Sequence, residues 1–309
     1  MEIRVLRYFL TVVREESITR AAQVLHITQP TLSRQLSQLE EQMGVKLFIR
    51  GTRKISLTNE GVLLRRRAEE ILELVDKTER ELIAQEEQVE GTVSIGCGDL
   101  RAVQRLPELI RTFHEKYPLV TFDLYPATAD HVTDRMARGL TDIGLLLEPV
   151  DLEKYDFIRL AGKETCVVTM HPDAPLAAKE YITPEDLVGV PLIMPRRASI
   201  QSEVANWFGE YYDRLNVLMT SNLPAGSAVM ANQKLAYAIN TCGSVDFWDQ
   251  TKLTYRPLRP ELSATCALAW KRQQPFGIAA EKFIAHARQA LQEDEKNGFS
   301  EWKDQNDLV

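Results

Sequence analysis

The segment TQPTLSRQLSQLEEQMG, residues 28–44, constrains the fold more than any other stretch of the chain. Leu32, Leu36, Leu39 and Met43 recur at spacings of four, three and four, the period of a helix with one buried face. Thr28 is a good N-cap, Pro30 falls in the first turn where a missing amide proton costs nothing, and Gly44 is a natural stop. The spacing therefore predicts a helix over residues 29–43. Its opposite face holds Thr31, Ser33, Arg34, Gln35, Ser37 and Gln38, where an ordinary solvated face carries Lys and Glu.

The residues before it suggest a use for that face. Ser17 caps a short segment with Ile18, Ala21, Ala22 and Leu25 at i, i+3, i+4 and i+7, and His26-Ile27-Thr28 allows a sharp turn. Two helices joined so closely, the first with paired alanines that permit a tight crossing, form a helix-turn-helix whose second helix enters the DNA major groove. An earlier helix with Leu6, Phe9, Leu10 and Val13 supplies a third wall. Gln, Ser, Thr and Arg carry donors and acceptors that match base edges and phosphates, so Thr28, Gln29, Pro30, Thr31, Ser33, Arg34, Gln35 and Ser37 are the candidate DNA contacts. The alternative is a surface helix that is merely rich in neutral polar residues.

Downstream, VKLFIRGTRKISLT reads as two short strands around Gly51-Thr52, with Arg50, Arg53 and Lys54 at the tip. Such a basic hairpin acts as a wing on the DNA backbone or in the minor groove, or is a solvated turn. Charge divides the chain in the same place. Residues 1–67 hold 12 Lys and Arg against 6 Asp and Glu, a net +6, and the remainder holds 25 against 38, a net −13. A basic N-terminal module on an acidic body is the asymmetry expected when one end touches nucleic acid.

The stretch FLTVVREESITRAAQVLHITQPTLSRQLSQLEEQMGVKLFIRGTRKISLTNEG resembles the N-terminal signature of LysR-type transcriptional regulators. The match rests on Ala21-Ala22, Gln29-Pro30, Leu32-Ser33, Leu39-Glu40, Leu47-Phe48, Arg50, and Leu57-Thr58 followed by Gly61. The resemblance implies an N-terminal all-α winged helix-turn-helix over residues 1–58 and a linker helix over 59–90. It also implies a C-terminal α/β two-subdomain, periplasmic-binding-protein-like effector domain over 91–291. The resemblance places the crossovers near 161–164 and 261–266, which assigns about 91–162 and 265–291 to subdomain I and about 163–264 to subdomain II. Residues 292–309 are acidic and polar, and read as a flexible tail.

In the linker, Leu64, Ala68, Ile71, Val75, Thr78 and Leu82 alternate spacings of four and three. That is either a heptad seam through which two copies pair, or the buried face of a single helix packed on its own body. One recognition helix covers few base pairs, whereas two in a symmetric dimer read an interrupted inverted repeat in double-stranded DNA. Family resemblance extends the homodimer to a homotetramer.

From Gly91 onward TVSIGCG, VTFDLYP and DIGLLL read as strands separated by helical segments near 102–116 and 129–139. ETCVVTM, PLIM, RLNVLM and KLAYAIN repeat the theme, and ATCALAW with GIAAEKFIAHARQAL returns to complete the first half. Small ligands bind between such halves, at the carboxyl ends of parallel strands. The loop after the first strand offers Asp99, Leu100 and Arg101, and the loop after the second offers Thr128, Ala129, Asp130 and His131. The opposite half offers Arg196, Arg197, Ser199, Ser202 and Asn222. An arginine fork suits carboxylate or phosphate, which points to an anionic effector, though each of Arg101, Arg196 and Arg197 reads equally well as a surface charge. Where many relatives have Gly-x-Gly, this chain has Lys234-Leu235-Ala236, and the lysine either alters the turn or reaches the pocket.

The five histidines are scattered, and the chain has no HExxH, P-loop, GxSxG or complete GxGxxG. No catalytic constellation, metal site or cofactor is expected. Cys97, Cys166, Cys242 and Cys266 lack CxxC spacing and read as buried reduced thiols, with a redox switch or metal site as the alternative. No apolar run approaches membrane-spanning length and no secretory signal is visible, so a cytoplasmic protein with no membrane partner is expected. Three functions stay open: a ligand-responsive transcription factor acting on RNA polymerase, a solute-binding protein, and an enzyme with a DNA-binding appendage. The first explains the helix-turn-helix, the seam and the two-half body together.

Overall fold

The computed structural model describes residues 1–50, 55–83, 89–245, 248–249 and 251–296, and of Arg50 and residues 80–83 and 294–296 the backbone alone. The chain divides after Ile83 into two compact units. In the first, α1 (Ile3–Glu15), α2 (Ile18–Val24) and α3 (Gln29–Met43) precede a hairpin of β1 (Phe48–Arg50) and β2 (Ile55–Leu57), and α4 (Asn59–Ile83) follows. The caps are local chemistry. Ser17 Oγ accepts from the Arg20 amide at 3.3 Å, and Thr28 Oγ1 accepts from the Thr31 amide at 3.4 Å.

Ala21 and Ala22 are buried where α2 crosses its neighbours, and Leu6, Phe9, Leu32, Leu36, Leu39 and Leu47 fill one core. Burying each large side chain contributes about 1.5–3 kcal/mol over leaving it exposed. Met43 is 42% exposed and does not complete the buried stripe of α3. It lies on the last residue of the helix, beyond the small core, and the inward position beside Leu39 is taken by Glu40.

The linker reading needs a similar correction. Leu64, Ala68 and Leu72 are buried in the same core as Phe9, and Arg7 Nη2 on α1 pairs with Asp76 Oδ1 on α4 at 2.5 Å. The first two positions of the proposed seam, Leu64 and Ala68, are therefore spent on the helix's own unit. Ile71 and Val75 are half-buried and Thr78 is exposed; the side chain of Leu82 lies outside the described residues. Gly61 is the reason α4 can start so close to the wing: a Cβ there would stand 2.2 Å from the Leu47 carbonyl oxygen.

The second unit contains two sheets. The first half of the unit runs β3 (Gly91–Cys97), α5 (Leu106–Lys116), β4 (Val120–Pro126), α6 (Ala129–Ala137), β5 (Ile143–Leu147) and β6 (Tyr155–Arg159). The second runs β7 (Glu164–Met170), β8 (Pro191–Pro195), α7 (Ala198–Phe208), β9 (Asn216–Ser221), α8 (Pro224–Asn232), β10 (Tyr237–Thr241), β11 (Thr254–Pro257) and β12 (Ser263–Ala264). The chain then returns through β13 (Cys266–Lys271) and α9 (Ile278–Lys296). Sheet order is β4-β3-β5-β13-β6 in the first half and β11-β7-β10-β8-β9 in the second, with β12 also on β7.

Each sheet joins three parallel strands, β4, β3 and β5 or β10, β8 and β9, to antiparallel returning strands. The chain thus passes between sheets after β6 and again between β12 and β13. Strands β6, β11 and β12 escape a reading by apolar runs because they are short and alternate with charged or polar residues. Helix α9 continues through Lys296, so residues 292–296 are helical rather than tail; 297–309 lie outside the described residues. Among the described residues no helix is long and apolar enough to cross a membrane.

Candidate functional site

Two places can do chemistry. On α3, Thr28, Gln29, Pro30, Thr31, Arg34 and Ser37 are exposed, while Ser33 and Gln35 are half-buried. Gln29 and Arg34 make no hydrogen bond or ion pair among the described residues, so their donors are free for a partner. The Thr28 and Thr31 hydroxyls are already 2.8 Å apart.

The wing is fastened to α3 by a buried carboxylate. Glu40 Oε1 accepts from the Leu47 amide at 2.8 Å and the Phe48 amide at 3.3 Å, and Lys46 Nζ donates to Oε2 at 3.1 Å. Burial pushes this carboxyl upward, but the bonds from Leu47, Lys46 and Phe48 outweigh it and leave it below its ordinary value. The side chain of Arg50, and Arg53 and Lys54 entirely, lie outside the described residues.

The second place is a cleft of about 540 Å³ between the two sheets. It opens at the carboxyl ends of the parallel strands, where β3 delivers Asp99 and Leu100, β4 delivers Thr128 and Ala129, and β8 delivers Arg196 and Arg197. Helices α6, α7 and α8 begin at this edge with N-caps Thr128, Arg197 and Leu223, none of which makes a side-chain cap bond. Three positive helix ends with uncapped amides thus line one cavity, an arrangement that attracts negative charge. Lys163 and Arg196 add exposed cations. Lys163 has no partner among the described residues, and Arg196 reaches Thr220 only at 3.4 Å. Deeper walls are apolar, from Leu145, Ile193, Ile239 and Leu262.

The floor is built around two carboxylates. Glu164 is 3% exposed, and its oxygens accept the amides of Arg101 and Gly243, each at 2.6 Å. Glu148 receives Arg159 Nε and Nη2 at 3.0 and 2.9 Å and the Thr265 hydroxyl, and the Arg159 bonds hold its carboxyl below the usual range. Asn240 donates from Nδ2 to Thr169 Oγ1 at 2.7 Å and accepts from the Ser227 hydroxyl at 3.0 Å. Burial, helped by Glu164, pushes the cleft thiol of Cys166 up to about 12. Burial, helped by Asp99, pushes Cys97 up to about 11. Cys266 is also pushed up, by burial and then by Glu164 and Glu148. These three thiols are protonated at neutral pH and poor nucleophiles.

A family model described as LysR substrate binding domain matches residues 86–292, more than half of the chain. The chain belongs to the LysR family. A second model, described as bacterial regulatory helix-turn-helix protein, lysR family, matches residues 3–62. The chain is 28% identical over 298 residues to the Hca operon transcriptional activator HcaR of Escherichia coli (strain K12), covering 94% of this chain and 98% of that protein. It is 34% identical over 217 residues to the regulator BsdA of Bacillus subtilis (strain 168), covering 67% and 72%. Full-length CbnR, solved in complex with its target DNA, shares the fold with a TM-score of 0.70 at 22% identity, covering 94% of this chain and 99% of that one. LysR proteins are transcriptional regulators rather than enzymes.

Of the expected cleft residues, Asp99, Leu100, Thr128, Ala129, Arg196, Arg197 and Asn222 line the cavity. Arg101, Asp130, His131, Ser199 and Ser202 do not. Arg101 is 9% exposed and turns inward, its Nη2 standing 2.9 Å from Cys242 Sγ. Asp130 accepts from Arg197, and His131 Nδ1 lies 3.0 Å from the Thr128 hydroxyl. The helical period of α7 puts Ile200 and Glu203 on the cleft side and Ser199 and Ser202 off it; the Ser202 hydroxyl donates to its own helix at Ala198. Lys234 does not line the cavity either. It adopts the left-handed backbone (φ +60°) that glycine usually supplies, and its Nζ pairs with Asp173 at 2.9 Å.

Glu148, Lys163, Glu164, Asn240 and Thr265 were not foreseen as cleft residues. Glu148-Pro149 follows the third parallel strand, so the rule that found the first two loops applies to it as well. Glu164 carried no signal, because its value depends on amides 63 and 79 residues away.

Proposed function

We propose that this LysR regulator reads an interrupted inverted repeat in double-stranded DNA as a homodimer, two dimers forming a tetramer. A small anionic metabolite in the cleft then changes DNA binding or bending and so RNA polymerase recruitment. One observation carries the reading: a free polar face on α3 occurs in the same chain as a cleft lined by three uncapped helix N-termini. Gln29, Ser33, Arg34, Gln35 and Ser37 are assigned to bases and nearby phosphates, and Arg50, Arg53 and Lys54 to the backbone.

The pairing surface is assigned to the outer face of α4. Leu63 and Leu74, 55% and 43% exposed, are eleven residues apart and share a face, which the exposed Thr78 extends. The effector is assigned a carboxylate or phosphate at the helix ends, near Arg196, Lys163 and Asn222, and an apolar body against the deeper walls. A regulator of genomic DNA acts in the cytoplasm, where its thiols stay reduced.

The test is a footprint of the full-length protein on the DNA upstream of its own gene, with scrambled competitor and a salt series. Protection of two half-sites related by a dyad, retained at salt that strips the competitor, supports the reading. Equal loss on both DNAs at that site and across a genome-wide operator search refutes it.

A further inference from the structure

Arg197 lines the cleft, yet its side chain leaves the half of the unit that carries it. From the N-cap of α7, Nε donates to Asp130 Oδ1 at 2.8 Å, Nη1 to the Leu147 carbonyl at 2.9 Å and Nη2 to the Pro149 carbonyl at 2.6 Å. All three acceptors belong to the half built on the other sheet: Asp130 opens α6, and Leu147 and Pro149 end and follow β5. The side chain is only 10% exposed beside an open cavity. A guanidinium holds its donors in a rigid fork, so three acceptors on one side fix its orientation across the gap.

A second junction between the halves differs in kind. Glu164 draws together the amides of Arg101 and Gly243, and the Thr241 hydroxyl donates to the Asp99 carbonyl at 3.1 Å. There the two backbones touch: a Cβ on Gly243 would lie 1.8 Å from the Arg101 nitrogen. No side-chain rotation opens that contact. Rotating Arg197 about its own χ angles, by contrast, releases all three of its bonds without moving the backbone.

We propose that Arg197 is a releasable latch that sets how much of the population has the cleft closed, with the Glu164 junction as the fixed pivot. The halves of such folds move as near-rigid bodies about a few connecting residues, and removing contacts present only in the closed state shifts the population to the open one. The inference rests on the effector-site reading only for its biological consequence. The closure itself is measured with no ligand added, so failure of either leaves the other standing.

The test places spin labels on exposed Glu108→Cys in α5 and Glu210→Cys in the 209–214 turn of the full-length chain, diluted with unlabelled chain so that within-chain distances dominate. The distance distribution is then compared across latch variants. Arg197→Ala should lengthen and broaden it. Asp130→Asn, which removes one acceptor's charge, and Arg197→Lys, which keeps the charge without the fork, should shift it the same way by less. A distribution for Arg197→Ala that superimposes on the parent overturns the latch. If Arg197→Ala does not fold, unchanged distributions in the two milder variants overturn it equally.

Discussion

Removing the Glu40 carboxylate should free the wing from the recognition helix without unfolding the unit. Hydrogen bonds to a charged acceptor contribute about 1.5–3 kcal/mol each, and the 2.8 Å bond from the buried Leu47 amide belongs in that range. The 3.3 Å bond from Phe48 is weaker, and the partner Lys46 is 79% exposed, so that pair contributes about 0–1 kcal/mol after screening. Glu40→Ala should therefore cost about 2–4 kcal/mol locally, on the order of 30- to 1000-fold in the opening equilibrium of the amides it holds. Amide hydrogen exchange over residues 45–50 of the full-length protein reads this directly, with α1 and α9 as internal controls.

Glu40→Gln keeps an acceptor but not the charge and should lose less. The folded carboxyl titrates below its ordinary 4.5, so its stabilisation is complete above that value and is lost as pH falls through the folded pKa. After correction for intrinsic exchange, parent protection at Leu47 should drop on acidification below about 4.5 while Glu40→Gln stays flat. Unchanged protection at Leu47 and Phe48 in Glu40→Ala would refute the argument.

Other consequences can be checked separately. Gly243→Ala puts a methyl group onto the Arg101 backbone, and overpacking of this kind costs about 1–3 kcal/mol or more; thermal melting should show the loss, and a melting curve matching the parent would contradict it. Gln29→Ala should change operator preference by about 1–3 kcal/mol if its amide pairs a base, whereas Arg53→Ala should weaken all sequences alike and reduce the salt slope by about one; competition binding separates the two. His286 sits against Phe113 and 2.9 Å from the Thr112 hydroxyl, and burial holds its imidazole below 6.5. The unfolded chain thus takes the proton first, and stability should fall as pH drops from 6.5 toward the folded value; an NMR titration midpoint at or above 6.5 would contradict this.

Much of the N-terminal unit was legible because its signals are local. Thr28, Pro30, Gly44 and the Leu32-Leu36-Leu39 spacing lie within one helix, and caps and periodicity act over three or four residues. The same spacing rule could not say what Leu64 and Ala68 would meet, since a buried stripe has the same period against a second copy or against α1. The α/β body was legible to the level of its cleft, because ligand loops follow the carboxyl ends of parallel strands whatever the side chains are. Seven of the twelve named cleft candidates line it.

By itself, then, the sequence determined the helix-turn-helix, the polar face that α3 presents, and the order of strands and helices that makes two α/β halves. Tertiary structure alone decided that Glu40 turns inward to hold the wing and that Arg101 is buried against Cys242. It also decided that Arg197 spans the cleft to acceptors 67, 50 and 48 residues away. The physical reason is range. Helix periods and caps are set by neighbours along the chain, whereas the worth of a charged side chain depends on which distant amides and carbonyls the folded chain brings within about 3 Å of it.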